Sequence, residues 1–196
     1  LKSVVIPSKV KTIGYAAFSG CSGLTSFEIN SGVLEKTGSF IFYGCKNLKE
    51  VKLNGALKKI PKNMFADASY LEKVIIPKSV TSIDSMSFCE CNSLKSIVIP
   101  ENVTYIGYSA FAGCAQLKSV VVPAKVNEIK WCAFEDCTAL TSVTVKNKNV
   151  KFGVQVFRND NNLTIKCYKN STAHKYALDN KIKCSPTLGN SSGNTV

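Results

Sequence analysis

"LKSIVIPENVTYIGYSAFAGCAQ", residues 94–116, is followed at once by "LKSVVVPAKVNEIKWCAFEDCTA", residues 117–139. Equivalent positions lie 23 residues apart, and the two copies agree in type at the leucine, valine/isoleucine, proline, alanine-phenylalanine and cysteine columns. Outward from this pair the leading leucine recurs as Leu1, Leu24, Leu48, Leu71, Leu94, Leu117, Leu140 and Leu163, spaced by 23, 24, 23, 23, 23, 23 and 23 residues. A fixed period of this size is the mark of a solenoid, in which each unit completes its core only by stacking on its neighbours.

Each unit opens with a period-two pattern. Its fourth position reads Val4, Phe27, Val51, Val74, Ile97, Val120 and Val143, and its sixth Ile6, Ile29, Leu53, Ile76, Ile99, Val122 and Val145. Alternation of β-branched residues predicts a short strand with one face buried. Pro7, Pro77, Pro100 and Pro123 then lack the N–H that would continue a ladder, so they close the strand and turn the chain. A second apolar pair follows, as in Val80 with Ile83 and Val103 with Ile106. Last comes a phenylalanine in seven successive units: Phe18, Phe42, Phe65, Phe88, Phe111, Phe134 and Phe157. A small residue such as Ala17, Ala110 or Ala133 often precedes it, which predicts an irregular or helical turn pressing the ring inward. Seven strands at about 4.7–4.9 Å spacing make a sheet about 30 Å across.

These columns resemble the bacterial leucine-rich repeat class called BspA-like, or treponemal type. The resemblance implies a repeat solenoid: a right-handed leucine-rich-repeat horseshoe with a parallel β-sheet on its concave face and short strands and turns on the convex side. It also implies a secreted or cell-surface protein used in attachment and ligand recognition, with no catalytic residues to transfer. Two units depart from the pattern and are expected to be the least regular. The unit at Leu24 carries an extra residue, Asn30 for proline and Thr37 for isoleucine. The unit at Leu140 has Lys146 for proline and Asp160 for cysteine.

Three segments result. Residues 1–162 hold seven repeats. Residues 163–184 form a terminal capping unit, in which Ser171 or Thr172 caps a short helix bearing Ala173, Tyr176 and Ala177 on one face, Asn180 ends it, and a strand follows near Ile182. Residues 185–196, small and polar, read as a flexible tail or linker. Leu1 would leave an open sheet edge, so further repeats or another domain are expected before it.

Nine cysteines are present, and five share one column: Cys21, Cys45, Cys91, Cys114 and Cys137. Zinc needs four ligands converging on a point, whereas cysteines 23 or 24 residues apart form a line, one per coil. The column reads as a ladder of buried thiols; it is the Asn/Cys position of leucine-rich repeats. Cys167 and Cys184 flank the expected cap helix, and both the bridged and the free state stay open at this point.

Chemistry has little purchase elsewhere. His174 is the single histidine and faces no column of nucleophiles or carboxylates. No glycine-rich phosphate loop, cofactor motif or paired acid–base carboxylates occur, and no run of roughly 20 apolar residues would span a bilayer. The net charge of +12 suits anionic partners, yet Arg158 is the one arginine among 25 basic residues, which argues against nucleic acid.

Binding is the remaining option. First, fourth and sixth positions of each strand point inward, which leaves the third and fifth on the concave wall. The fifth includes Val5, Lys52, Ile75, Val98 and Val121; the third includes Lys73, Ser96 and Ser119. An apolar strip lined by serines, with Lys2, Lys49, Lys95 and Lys118 at one margin, marks an expected ligand face. The plain alternative is that valine and isoleucine simply favour strands. The expected function is non-catalytic adhesion to an extracellular protein, with the rivals being glycan binding within a larger secreted enzyme and a structural spacer.

Overall fold

A computed structural model of the chain describes residues 1–30, 36–54 and 57–188. The chain winds as a parallel-strand solenoid, and each coil has three sides. On one side lie β1 (Ser3–Ile6), β3 (Ser26–Ile29), β5 (Glu50–Leu53), β7 (Lys73–Ile75), β10 (Ser119–Val122), β12 (Ser142–Val145), β14 (Thr164–Tyr168) and β15 (Lys183–Leu188), here called the strand wall. Between them come the two-residue strands β2 (Thr12–Ile13), β4 (Lys36–Thr37), β6 (Lys59–Ile60), β8 (Ser82–Ile83), β9 (Tyr105–Ile106), β11 (Glu128–Ile129) and β13 (Lys151–Phe152) on a second side. The third side is a stack of tight turns around the phenylalanines, the turn wall.

All strand pairs are parallel, and register follows the repeat: Ser119 opposes Ser142, Val120 opposes Val143, and Ile83 opposes Ile106. Like residues therefore stack on like. The leading leucines from Leu24 onward, the fourth and sixth positions from Phe27 onward apart from half-buried Ile76, and the second apolar pairs are buried in one continuous core. The phenylalanines form a column of parallel rings, with centroids 5.3 Å apart from Phe42 to Phe65 and 5.1 Å apart from Phe65 through Phe88 and Phe111 to Phe134. Phe18 at one end is partly exposed, and Phe157 at the other remains buried.

The turn wall is tied by a recurring set of rungs. Ser109, Phe111 and Gly113 donate their N–H groups to the carbonyls of Trp131, Ala133 and Glu135 at 3.1, 2.8 and 2.8 Å. The same trio recurs between each pair of consecutive turns from Ala16 to Arg158. The geometry requires a left-handed residue on either side of the ring, such as Cys132 (φ 55) and Asp136 (φ 58) around Phe134. Gly107 serves a different need: a Cβ there would lie 2.5 Å from the Ser85 nitrogen, so this coil meets the one before it at that point only without one.

The strand wall departs from the sequence expectation. Its residues divide into two four-stranded sheets, β1-β3-β5-β7 and β10-β12-β14-β15, and residues 94–99 between them belong to neither. The expected seven-strand sheet is thus interrupted, and the break falls in a regular repeat rather than at Leu24 or Leu140. Both junctions of the break lack a rung at the seventh position. Asn30, Asn54 and Lys146 donate to the sixth-position carbonyls of Ile6, Ile29 and Val122 at 3.1, 3.1 and 3.0 Å, closing the ladder. Pro77, Pro100 and Pro123 have no N–H for that rung, and they stand in three consecutive repeats.

Beyond the repeats, helix α1 (Thr172–Asp179) starts at Ser171, whose side chain accepts from the His174 N–H, and its Ala173 and Ala177 are buried. Here the sequence boundary needs correction. Ser185 to Leu188 are not tail but the last four residues of β15, paired with β14 out to Tyr168, because the alternating edge of β14 offers them a ladder. The rest of the expected tail, residues 189–196, lies outside the described residues.

Candidate functional site

The strand wall presents the fifth-position side chains outward, as alternation dictates. Val5 is 57% exposed, Ile75 41%, Val98 80% and Val121 45%, all well beyond what a core valine or isoleucine shows. Ile75, Val98 and Val121 stand on consecutive coils. Val98, the most exposed of these, stands in the segment outside both sheets. Around them Ser96, Ser119 and Lys73 are exposed, while Lys52 is half-buried. The Lys73 ammonium lies 3.4 Å from Glu50, an exposed pair that holds little energy. Near Val5 the wall dips into a depression of about 170 Å³ lined by Ser3, Ser26, Glu28, Glu50 and Lys52. Lys2, Lys49, Lys95 and Lys118 are exposed along one margin.

The cysteine column packs as a ladder. The thiols of Cys45, Cys91, Cys114 and Cys137 donate to the carbonyls of Phe18, Phe65, Phe88 and Phe111 at 2.9–3.2 Å. Burial pushes Cys45 up to about 11 and drives Cys91, Cys114 and Cys137 well above their ordinary value. Protonated and enclosed, they are neither nucleophiles nor metal ligands. Cys21, in the outermost coil, is partly exposed. Cys167 and Cys184 are both free; Cys184 stands opposite Ile165, not Cys167. Among the described residues no group of three or more metal-ligating side chains gathers. The ring of His174 is engaged locally, with Nδ1 accepting from the Asn170 N–H at 3.1 Å.

Two further features lie away from the strand wall. Tyr108 and Trp131 occupy the same repeat position on neighbouring turns, 45% and 53% exposed, with the Lys130 ammonium 5.7 Å from the Tyr108 ring. Trp131 is the one tryptophan of the sequence, and its column places Tyr108 beside it. The other is a cavity of about 610 Å³ at the far end of the solenoid, between the last turn and the segment after α1. Asp160 stands in its wall at the position of a column cysteine. Both its carboxyl oxygens lack a partner, and burial pushes the group up to about 8.

No helix among the described residues is long and apolar enough to cross a membrane. No curated protein matches the chain by sequence. Among solved structures, a leucine-rich cell-surface protein of Faecalibacterium prausnitzii superposes with a TM-score of 0.74 at 32% identity, over 84% of this chain and 47% of that one. The chain thus spans about half the length of that relative. The pneumococcal vaccine antigen PcpA (TM-score 0.59, 18% identity, 94% of this chain and 67% of that one) shares the fold. So does a leucine-rich repeat protein of T. pallidum (0.53, 21%, 94% and 85%). The model of the BspA-type leucine-rich repeat region matches in six copies over residues 1–97 and 58–185. Repeat period, column identities, parallel solenoid and these matches agree: the chain belongs to the BspA-type leucine-rich repeat family.

Proposed function

We propose that the chain is a non-catalytic recognition module of a secreted or cell-surface protein, which holds an extracellular protein ligand against its strand wall. One observation supports this above the rest. The fifth-position column, where a sheet facing water ordinarily carries polar residues, is aliphatic and exposed at Val5, Ile75, Val98 and Val121. Lys52, Lys73, Ser96 and Ser119 surround these residues with hydrogen-bonding and charged groups, the apolar-centre and polar-rim composition of recognition surfaces.

The test is a binding screen of the fragment against immobilised extracellular-matrix proteins, repeated with the double substitution Ile75→Ser and Val98→Ser. Captured ligand should fall by at least tenfold in the variant, a loss of about 1.4 kcal/mol, with the thermal transition unmoved. Equal capture by both proteins removes the strand wall as the ligand face.

A second reading has its own support. Tyr108 and Trp131, exposed on adjoining turns beside Lys130 and Gln155, offer ring faces for stacking against a sugar. A glycan array that loses its signals on Trp131→Ala, but not on Ile75→Ser, would favour it.

A further inference from the structure

Every turn but the last passes three N–H groups to the carbonyls of the turn that follows. In the last turn the equivalent donors are Gln155, Phe157 and Asn159, and among the described residues no eighth turn of this kind follows, because the chain has gone into α1 instead. The middle position is filled. The Tyr176 hydroxyl, brought over by α1, accepts from the adjacent Val156 N–H at 3.0 Å and lies beside that of Phe157. The outer two are not: among the described residues no carbonyl accepts from Gln155 or Asn159. Both residues keep the left-handed conformation of a laddered turn, φ 56 and φ 67, so the donors are held in the geometry that elsewhere receives a neighbour.

These two residues line the 610 Å³ cavity. Its floor holds Phe157, Leu163 and Ile182, and its rim holds Lys181 and Lys183, which have no ion-pair partner among the described residues. Arg158 is already paired with Glu135. Asp160, which is 94% buried on its 6% exposure and has no partner on either oxygen, stands in the same wall. At neutral pH burial keeps it protonated, a donor rather than an opposing charge. The wall therefore combines fixed main-chain donors, an apolar floor and a positive rim, with no acceptor row to match.

We propose that this end cavity is a second binding site, which takes an acidic peptide of a partner protein, folded as one of these turns, as an additional rung of the turn wall. Two peptide carbonyls accept from Gln155 and Asn159, with acidic side chains toward Lys181 and Lys183. Main-chain pairing supplies affinity and the rim supplies sign, as in recognition by strand addition. The site is separate from the strand wall, and its occupation does not depend on what binds there.

The chain itself provides the probe. Its own turn at 131–137 already accepts this pattern of donors through the Trp131, Ala133 and Glu135 carbonyls. A blocked peptide Trp-Ser-Ala-Phe-Glu-Asp-Ser, that turn with serine for both cysteines, is titrated into the full 196-residue protein while amide resonances are followed. Gln155 and Asn159 amides should shift and exchange more slowly, with a dissociation constant of about 1 mM or tighter. The double substitution Lys181→Glu and Lys183→Glu should weaken binding about tenfold, and a peptide with lysines for its two acids should regain it on that variant. No binding at about 1 mM, binding that leaves both amides unmoved, or identical shifts produced by inorganic phosphate alone would each overturn the proposal.

Discussion

The strand wall and the turn wall are built from the same repeats, yet one is broken and the other is not. Across the junctions on either side of residues 94–99 the long strands lose their ladder apart from the Lys118 N–H to Lys95 carbonyl bond at 3.3 Å, while the turns keep all their rungs, from Met86 to Tyr108 through Gly113 to Glu135. The second side is continuous there too, with β8 paired to β9 and β9 to β11. The contrast teaches where order is fixed. Stacked rings, thiol–carbonyl bonds and main-chain rungs all concentrate on the turn wall. The strand wall carries less of the fold and is correspondingly free to vary in the residues it shows outward.

The largest effect that could break this contrast is loss of a ring. Phe111→Ala, at full burial between two stacked neighbours, should cost about 3–5 kcal/mol, read from the denaturant midpoint. A cost below 1 kcal/mol would mean that the turn wall does not carry the stack. Gly107→Ala comes next: its Cβ meets backbone rather than a movable side chain, so a loss of about 1–3 kcal/mol is expected in the same assay.

Asp160 sharpens the comparison within the turn wall, since it replaces the thiol of the column. Its carboxyl titrates near 8 when folded and near 4 when unfolded, so the folded chain retains a proton that the unfolded chain has released. Stability should therefore fall as pH rises from about 4 to about 8 and level off above. Asp160→Cys should abolish that slope and stabilise the protein by about 1–3 kcal/mol at pH 8. An unchanged slope would place the proton elsewhere.

The smallest effects belong to the strand wall. Pro100→Thr restores an N–H facing the Ile76 carbonyl, a rung worth about 1 kcal/mol, set against the rigidity that proline contributes. Net stability should barely move, while amide exchange at residues 96–99 slows. Val98→Ala should change stability by less than about 0.5 kcal/mol, because the side chain is 80% exposed. A larger loss would show that the wall is held by contacts of this strip.

Much of this was legible in the sequence because repetition puts one physical requirement in one column. The phenylalanines, the thiols and the inward alternation of each strand lie where period and polarity place them, and of the two cap residues the sequence offers, Ser171 and Thr172, the structure uses Ser171. The interruption at residues 94–99 was not. "LKSIVIP" alternates as cleanly as any other copy, and proline announces a turn whether or not its neighbour has a donor, so the copy itself carries no mark of the break. The end cavity was illegible for a related reason. It exists because the stack stops at Phe157 and α1 covers just part of the final turn, a matter of placement that no single column records. Asp160 stood out as a departure from cysteine, but its lack of partners depends on how deep that coil lies.

The free cysteines have a mechanical corollary. With no disulfide among the described residues, adjoining coils are held by contacts alone, so tension applied along the solenoid would release it one coil after another. Each 23-residue coil set free would lengthen the molecule by up to about 80 Å. A protein tethered between two bodies would thus absorb a sudden pull by yielding in steps rather than letting go.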